Sequence, residues 1–298
     1  MGILVIGAVF VDIKGYPIGQ YIHGGVSRNV VEDIANMEMR PTYLSVVDNS
    51  GISDDFVARL KRHKVNTDYI QRTDDGLGTW LAVFDHTGDV VASISKRPDL
   101  DAIKEVLDER GDEVIGNADS IVVEIDMEPY LLKRIFSLAE KHNKAVYAVV
   151  SNMSIAMERR DLLQKTGCIV CNEQEASMLF SDDYEEKSPE EVADYLVRRI
   201  EAANIERMVV TMGEKGAVYA ELNGESGICP APKVNVMDTT GAGDAFFAGV
   251  AVGLTYGKSL GEACVIGTRL ASSVIASKEN VCPRFRPEEF GLISPDEQ

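Results

Sequence analysis

The chain has 298 residues and carries 30 Lys+Arg against 48 Asp+Glu, a formal net charge of −18. With 45% apolar and 26% charged residues it has an ordinary globular composition and ample length for a sizeable core. The acidic balance argues against nucleic acid and anionic membrane as partners, because both need a basic face. No apolar run reaches 18 residues, and five cysteines, an odd number, point to a reducing cytoplasm rather than a disulfide framework.

In chain order, Ile3–Ala8 is a compact apolar run without a basic segment before it or a cleavage site after it. It reads as a buried first strand rather than a signal peptide. Residues Val9–His23 mix apolar and polar side chains with Gly15, Pro17 and Gly19 and break the pattern. Val26–Met37 and Asp54–His63 read as amphipathic helices on either side of a strand at Thr42–Val47. Thr79–Lys96 carries β-branched and aromatic residues around the turn-forming His86–Asp89, which predicts a hairpin. Strands at Ser120–Glu124, Ala145–Val149, Cys168–Cys171 and Met208–Thr211 then alternate with helices at Glu128–His142 and Pro189–Ala202. This rhythm predicts an α/β fold: a three-layer αβα domain with a mostly parallel central sheet. The inserted hairpin predicts a small antiparallel sheet beside it. The tail from Arg284, with Pro287 and Pro295, reads as a surface segment.

The most informative stretch is Val236–Tyr256, VMDTTGAGDAFFAGVAVGLTY. Small residues at Gly241, Ala242 and Gly243 let the backbone approach a ligand, and a long apolar helix follows. The first amides of a helix lack internal partners and carry partial positive charge, so together they form an anion site. Asp244 falls in the first turn, beside that anion, where a carboxylate can take a proton from an attacking hydroxyl. The alternative is a plain N-cap turn before a buried helix.

The run DTTGAGDAFFAG resembles the signature of the ribokinase-like carbohydrate kinases, the PfkB family. The resemblance covers essentially the whole chain and implies one kinase domain over residues 1–298, with a discontinuous β lid from about 9–23 and 79–96. It implies that Gly241, Ala242 and Gly243 form the hole for the transferred phosphoryl group and that Asp244 is the catalytic base. Asp238 matches a monovalent-cation loop found in some members, which adds K⁺ to ATP and Mg²⁺ as the implied cofactors. Asp12, Gly24, Gly25, Asn29 and Asp126 match substrate-contacting positions. Thr211, Gly213 and Gly216, in TMGEKGA, match the nucleotide loop, and Asn280 stands where many relatives have Gly near the nucleotide. Asn172 and Glu175, in CNEQEA, match an N-x-x-E motif that organises Mg²⁺ through water. Each short motif has a plainer reading: a turn for Gly24-Gly25, a capping box for Asn172 and Glu175. The segment Ile18–His23 is shorter than the family's usual run, through a trimmed lid or omitted residues. The lid also implies a homodimer.

Gly253–Ser259 is one residue short of a P-loop and follows a helix, and Gly257 reads as that helix's C-terminal cap. Cys168 and Cys171, on a strand, face opposite ways and lack a second pair for zinc. The scattered histidines support no hydrolase triad. Trp80, in the lid, either stacks on substrate or packs the lid. The expected activity is transfer of the ATP γ-phosphoryl group to a hydroxyl, in particular a primary alcohol, of a sugar or sugar-like substrate. A pseudouridine or other nucleoside kinase is the narrower version, because GGVxRN around Arg28 and Asn29 resembles the pseudouridine-kinase branch. The rival from another class is a non-catalytic ligand-binding protein on the same fold. The nearest basic candidates for the phosphates are Arg28 and Lys215.

Overall fold

A computed structural model describes residues 2–15, 19–84, 90–150, 152–222 and 224–293. The expected turn at His86–Asp89, Pro17, Ile18 and Pro295 lie outside them. Strand β1 (Leu4–Ile6) sits inside a nine-stranded sheet, between β4 (Thr42–Val47) and β8 (Ile121–Glu124). The sheet continues on one side to β5 (Asn66–Arg72) and on the other through β9 (Val146–Val149), β10 (Ile169–Asn172) and β11 (Arg207–Thr211). All of these pair in parallel; β12 (Ala217–Glu221) and β13 (Ser226–Cys229) close that edge antiparallel.

Side chains alternate across the strands, so each strand feeds two cores. Leu4, Ile6, Val123 and Cys171 pack under α3 (Asp101–Gly116), α4 (Pro129–Lys141), α7 (Glu173–Phe180) and α8 (Pro189–Ala203). Val5, Val122, Val209 and Cys168 pack under α1 (Val26–Asn36), α2 (Gly51–Arg62), α9 (Ala242–Thr255) and α10 (Leu260–Ile275). Cys168 and Cys171 thus lie on opposite faces as the strand period dictates, and all five cysteines are buried free thiols. Two short helices, α5 (Met153–Met157) and α6 (Arg160–Leu163), bridge β9 and β10. No helix among the described residues is long and apolar enough to cross a membrane.

The second sheet has the order β3-β2-β6-β7, with β2 (Phe10–Gly15), β3 (Gly19–Gly24), β6 (Gly78–Phe84) and β7 (Val90–Lys96). Each hairpin is antiparallel, but the central pair β2–β6 runs parallel. The connectivity explains this: β2 leaves the end of β1 and β6 follows β5, two strands that run the same way. The register places Asp12 opposite Trp80 and Trp80 opposite Ser95, so these three share one face. The other face carries Leu81 opposite Ile94, with Val83, all exposed.

The tail runs over the surface, as expected, but is anchored there. Phe285 donates its amide to the Asn36 carbonyl (2.8 Å), and Leu292 is buried against the α1–α9 core. Phe285 and Phe290 meet edge to face under the Arg269 guanidinium. Three apolar side chains, Phe285, Phe290 and Leu292, anchor the described part of the tail.

Candidate functional site

The motifs converge where the parallel strands end, the usual ligand-binding edge of an open α/β sheet. At the centre is the start of α9. Gly241 is its N-cap in the left-handed region (φ 83°), and no side chain caps the helix. Ala242 donates its amide to the Thr239 carbonyl (3.2 Å), so the first-turn amides left to a ligand are those of Gly243 and Asp244. A Cβ at Gly241 would collide with the Asn280 carbonyl, so the close approach as well as the φ requires glycine here. Asp238 sits just before, accepting the Thr240 amide (2.8 Å) and shaping the turn.

Two cavities meet at this turn. The larger, about 480 Å³, is lined by Asp12, Gly25 and Asn29, by Thr240, Gly241 and Asp244 of the turn, and by Phe10, Trp80, Ser95 and Arg97 of the lid side. The smaller, about 150 Å³, is lined by Ala242 and Gly243 of the same turn and by Thr211, Gly213 and Gly216. Its other walls come from Phe246 and from Thr268, Ser272 and Ile275 of α10. The Gly241–Asp244 turn is thus a partition with one residue pair facing each side. Among the described residues no charged side chain lines the smaller cavity.

On the larger side, Asn29 Nδ2 donates to Asp244 Oδ2 (2.7 Å). Asn29 Oδ1 accepts from Arg28 Nη1 (2.8 Å) and from Asn280 Nδ2 (3.2 Å). With two donors on its oxygen, the Asn29 amide can turn only its NH₂ toward Asp244. Burial pushes the Asp244 carboxyl up to about 7; the Asn29 bond opposes this, Asp12 adds to it through like charge, and Arg28 pulls the other way. A carboxyl near 7 beside an amide-lined anion hole can accept a hydroxyl proton at neutral pH. Asp12 reaches this cavity because its carboxyl packs on Gly24, where any Cβ would collide with it.

Four expected residues take other places. Asn280 does not line the smaller cavity. It is buried, donates to the His23 carbonyl (2.9 Å) as well as to Asn29, and backs Gly241. Asp126 does not line the larger cavity; its carboxylate is wholly covered and is paired with Arg97, which also donates to the Asp126 carbonyl (2.9 Å). Arg28 is buried in an ion pair with Glu32, so it braces Asn29 rather than presenting charge to a ligand. Lys215 is drawn to Glu173 Oε1 (3.3 Å). Trp80 lines the larger cavity from the lid, whereas His23 stands edge-on to Phe56.

Asn172 and Glu175 form a complete capping box at the start of α7. Asn172 Oδ1 accepts the Glu175 amide and Glu175 Oε2 accepts the Asn172 amide, both at 2.8 Å. The plainer reading of these residues therefore holds geometrically, and it leaves Glu175 Oε1 outside the box. Glu124, at the end of β8, was not singled out by any motif. It is 3% exposed, lines the larger cavity and accepts the Ser27 amide (2.9 Å). Burial and the neighbouring Asp126 charge push it up to about 7. Arg97, Ser95 and the α10 residues were missed too. Only the final apolar position of the Ile121–Glu124 run, ending abruptly in a carboxylate, could have flagged one of them.

The sequence profile of the pfkB family carbohydrate kinases matches residues 4–282. The guanosine-inosine kinase of Exiguobacterium acetylicum is 34% identical over 292 residues, covering 93% of this chain and 95% of that one. The pseudouridine kinase of Escherichia coli K12 is 26% identical, covering 84% of this chain and 82% of its own. Arabidopsis thaliana ribokinase, solved with ribose and ATP, has the same fold: TM-score 0.84 at 20% identity, covering 95% of this chain and 96% of that one. With a partitioned anion turn, a carboxylate poised on it and a full-length family match, the chain belongs to the pfkB family of carbohydrate kinases, ATP-dependent enzymes with an alcohol as acceptor.

Proposed function

We propose that this protein phosphorylates a nucleoside at a primary hydroxyl, with the nucleoside in the larger cavity and ATP in the smaller. The observation that carries this is the lining of the larger cavity, which combines two chemistries. Asp12, Asn29 and Asp244 suit the hydroxyls of a ribose. Phe10 and Trp80 add aromatic rings, with Ser95 and Arg97 beside them. A planar base supplies a π-face for those rings; a bare pentose does not. The volume of about 480 Å³ lies in the usual range of small-molecule sites and leaves room for a second ring system. The 34% identity to a guanosine-inosine kinase supports the same reading.

In this reading Asp244 takes the proton of the attacking hydroxyl. The hydroxyl oxygen bonds to the γ-phosphorus as the bond to the ADP oxygen breaks. The first-turn amides of α9 hold the charge on the phosphoryl oxygens, and the lid residues exclude water. Mg²⁺ supplies charge neutralisation on the phosphates. Among the described residues no cluster of three His, Cys, Asp or Glu side chains could hold a metal directly. Mg²⁺ keeps much of its water shell and binds largely through phosphates. In this reading Glu175 Oε1, the oxygen outside the capping box, would order such a water.

The test is ATP consumption over a panel of nucleosides, pentoses, hexoses and sugar acids. The account expects nucleosides to exceed free ribose in kcat/KM by at least about tenfold, the size of one lost stacking or packing contact. Ribose turned over as well as any nucleoside would contradict it.

A further inference from the structure

Arg97 is the single basic residue among the described residues lining the larger cavity. It stands immediately after β7, two positions beyond Ser95, on the lid side that carries Trp80. Its guanidinium is not loose. Nη1 donates to the Asp126 carbonyl (2.9 Å) and Nη2 pairs with the fully covered Asp126 carboxylate. Two bonds to one residue fix the plane of the fork, and 41% of the side chain remains exposed.

The charge balance selects the ligand. Asp126 neutralises Arg97, and the rest of the lining adds Asp12, Glu124 and Asp244 but no second cation. A carboxylate or phosphate on the acceptor would meet no net positive charge, so Arg97 is not built as a receptor for an acidic substrate. What it offers is a neutralised array of N–H donors with no acceptor. The matching partner is a neutral group with two acceptors side by side. Among nucleobases, the O6 and N7 edge of a 6-oxopurine has this pattern, whereas adenine turns an N6 donor toward the same place.

We propose that Arg97, held by Asp126, reads the O6/N7 edge of a 6-oxopurine and makes guanosine and inosine the preferred acceptors over adenosine. The proposal rests on the nucleoside reading above. Trp80 supplies the stacking face, which every base shares, and Arg97 supplies the discrimination. Asp126 is a positioning residue: it touches no substrate and acts by holding the arginine fork.

The experiment compares wild type, Arg97→Met, Arg97→Lys and Asp126→Asn, with inosine, guanosine, adenosine and 7-deazainosine as acceptors. Each variant is first checked by thermal melting and by MgATP binding, so that a misfolded protein is recognised. Wild type should favour inosine over adenosine in kcat/KM. Arg97→Met should lower the inosine-to-adenosine ratio by roughly 10–100-fold, the discrimination of one bidentate base contact, and mostly through KM. Arg97→Lys keeps the charge and loses the fork, so it should restore only part of the ratio. Asp126→Asn should lower the ratio less than Arg97→Met. Removing N7 from the substrate should weaken wild type and leave Arg97→Met little changed, which a merely structural arginine would not produce. An inosine-to-adenosine ratio that is the same in wild type and Arg97→Met overturns the assignment of Arg97. A wild type that prefers adenosine overturns it as well. If wild type phosphorylates free sugars and no nucleoside, the parent reading fails, and that outcome is distinct because it is read on wild type alone.

Discussion

The two sides of the Gly241–Asp244 turn are built from different materials. Among the described residues, the smaller cavity is walled by backbone and small or apolar side chains and by no charged one. The larger is walled by three carboxylates, an arginine and two aromatic rings drawn from the lid and the strand ends. In the proposed function the difference follows from what each side has to do. A triphosphate carries its own charge and, with Mg²⁺, needs only dipoles and shape. A neutral acceptor must be oriented hydroxyl by hydroxyl, which takes directional side chains. The net charge of −18 is therefore compatible with an anionic ligand. The positive potential at the turn is made locally, by a helix N-terminus rather than by a basic surface.

The contrast can be broken most severely by removing Mg²⁺. With no basic side chain among the described residues lining the smaller cavity, chelation should weaken ATP binding by at least about 100-fold, as read by calorimetry. Tight metal-free binding would show a cationic receptor elsewhere. Next is Gly241→Ala, which forces a Cβ into the Asn280 carbonyl and strains a positive φ. It should lower kcat by about 10²-fold, as loss of an oriented oxyanion donor does, and destabilise by about 1–3 kcal/mol. An active, stable Ala variant would remove the turn as the partition.

Smaller effects sharpen the acceptor side. The carboxylate form of Asp244 is the base, so kcat/KM should rise with pH to a plateau above about 7 and fall tenfold per unit below it. Asn29→Ala removes a bond that favours the carboxylate and should move this limb to higher pH. Asp12→Asn removes a like charge and should move it to lower pH. Limbs that shift the opposite way would contradict the electrostatic picture. Asp244 also bears on stability. Its folded value lies above its unfolded one, so the stability it contributes is complete below about pH 4 and is lost as pH rises toward 7. Asp244→Asn should therefore melt a few degrees higher at pH 8, a gain on the order of 1 kcal/mol after discounting for solvent, and the gain should vanish near pH 4. Last, the outer face of the lid exposes Leu81, Val83 and Ile94. If the family's lid dimer forms here, the double variant Leu81→Asp, Ile94→Asp should be monomeric in light scattering; a monomeric wild type would remove that expectation.

What could be read from the sequence follows the same division. The smaller cavity is lined from contiguous words: TMGEKGA joins a strand end to a tight turn, and DTTGAGD joins a turn to a helix start. Local chemistry decides such sites, so local pattern reveals them. The acceptor side is assembled by register. Asp12, Trp80 and Ser95 meet because β2, β6 and β7 pair as they do. Arg97 and Asp126 meet across the gap from the lid to the end of β8. Nothing around Arg97 or Glu124 marks them as lining a cavity. Asn280 shows the converse: expected at the nucleotide from its place in the sequence, it donates to Asn29 and to the His23 carbonyl. The strand β5 was passed over because it is a polar edge strand, and α10 because its apolar stripe resembles any other buried helix.

The central claim is that a hydroxyl on one side of the turn is deprotonated by Asp244 and attacks a phosphoryl group held on the other. The most direct test measures Asp244→Asn in two ways on one preparation, by calorimetric binding of MgATP and of inosine and by single-turnover phosphoryl transfer. The account predicts near wild-type binding of both ligands with transfer slowed by about 10²–10⁴-fold, the usual share of a general base. Transfer at the wild-type rate with both ligands bound would contradict it.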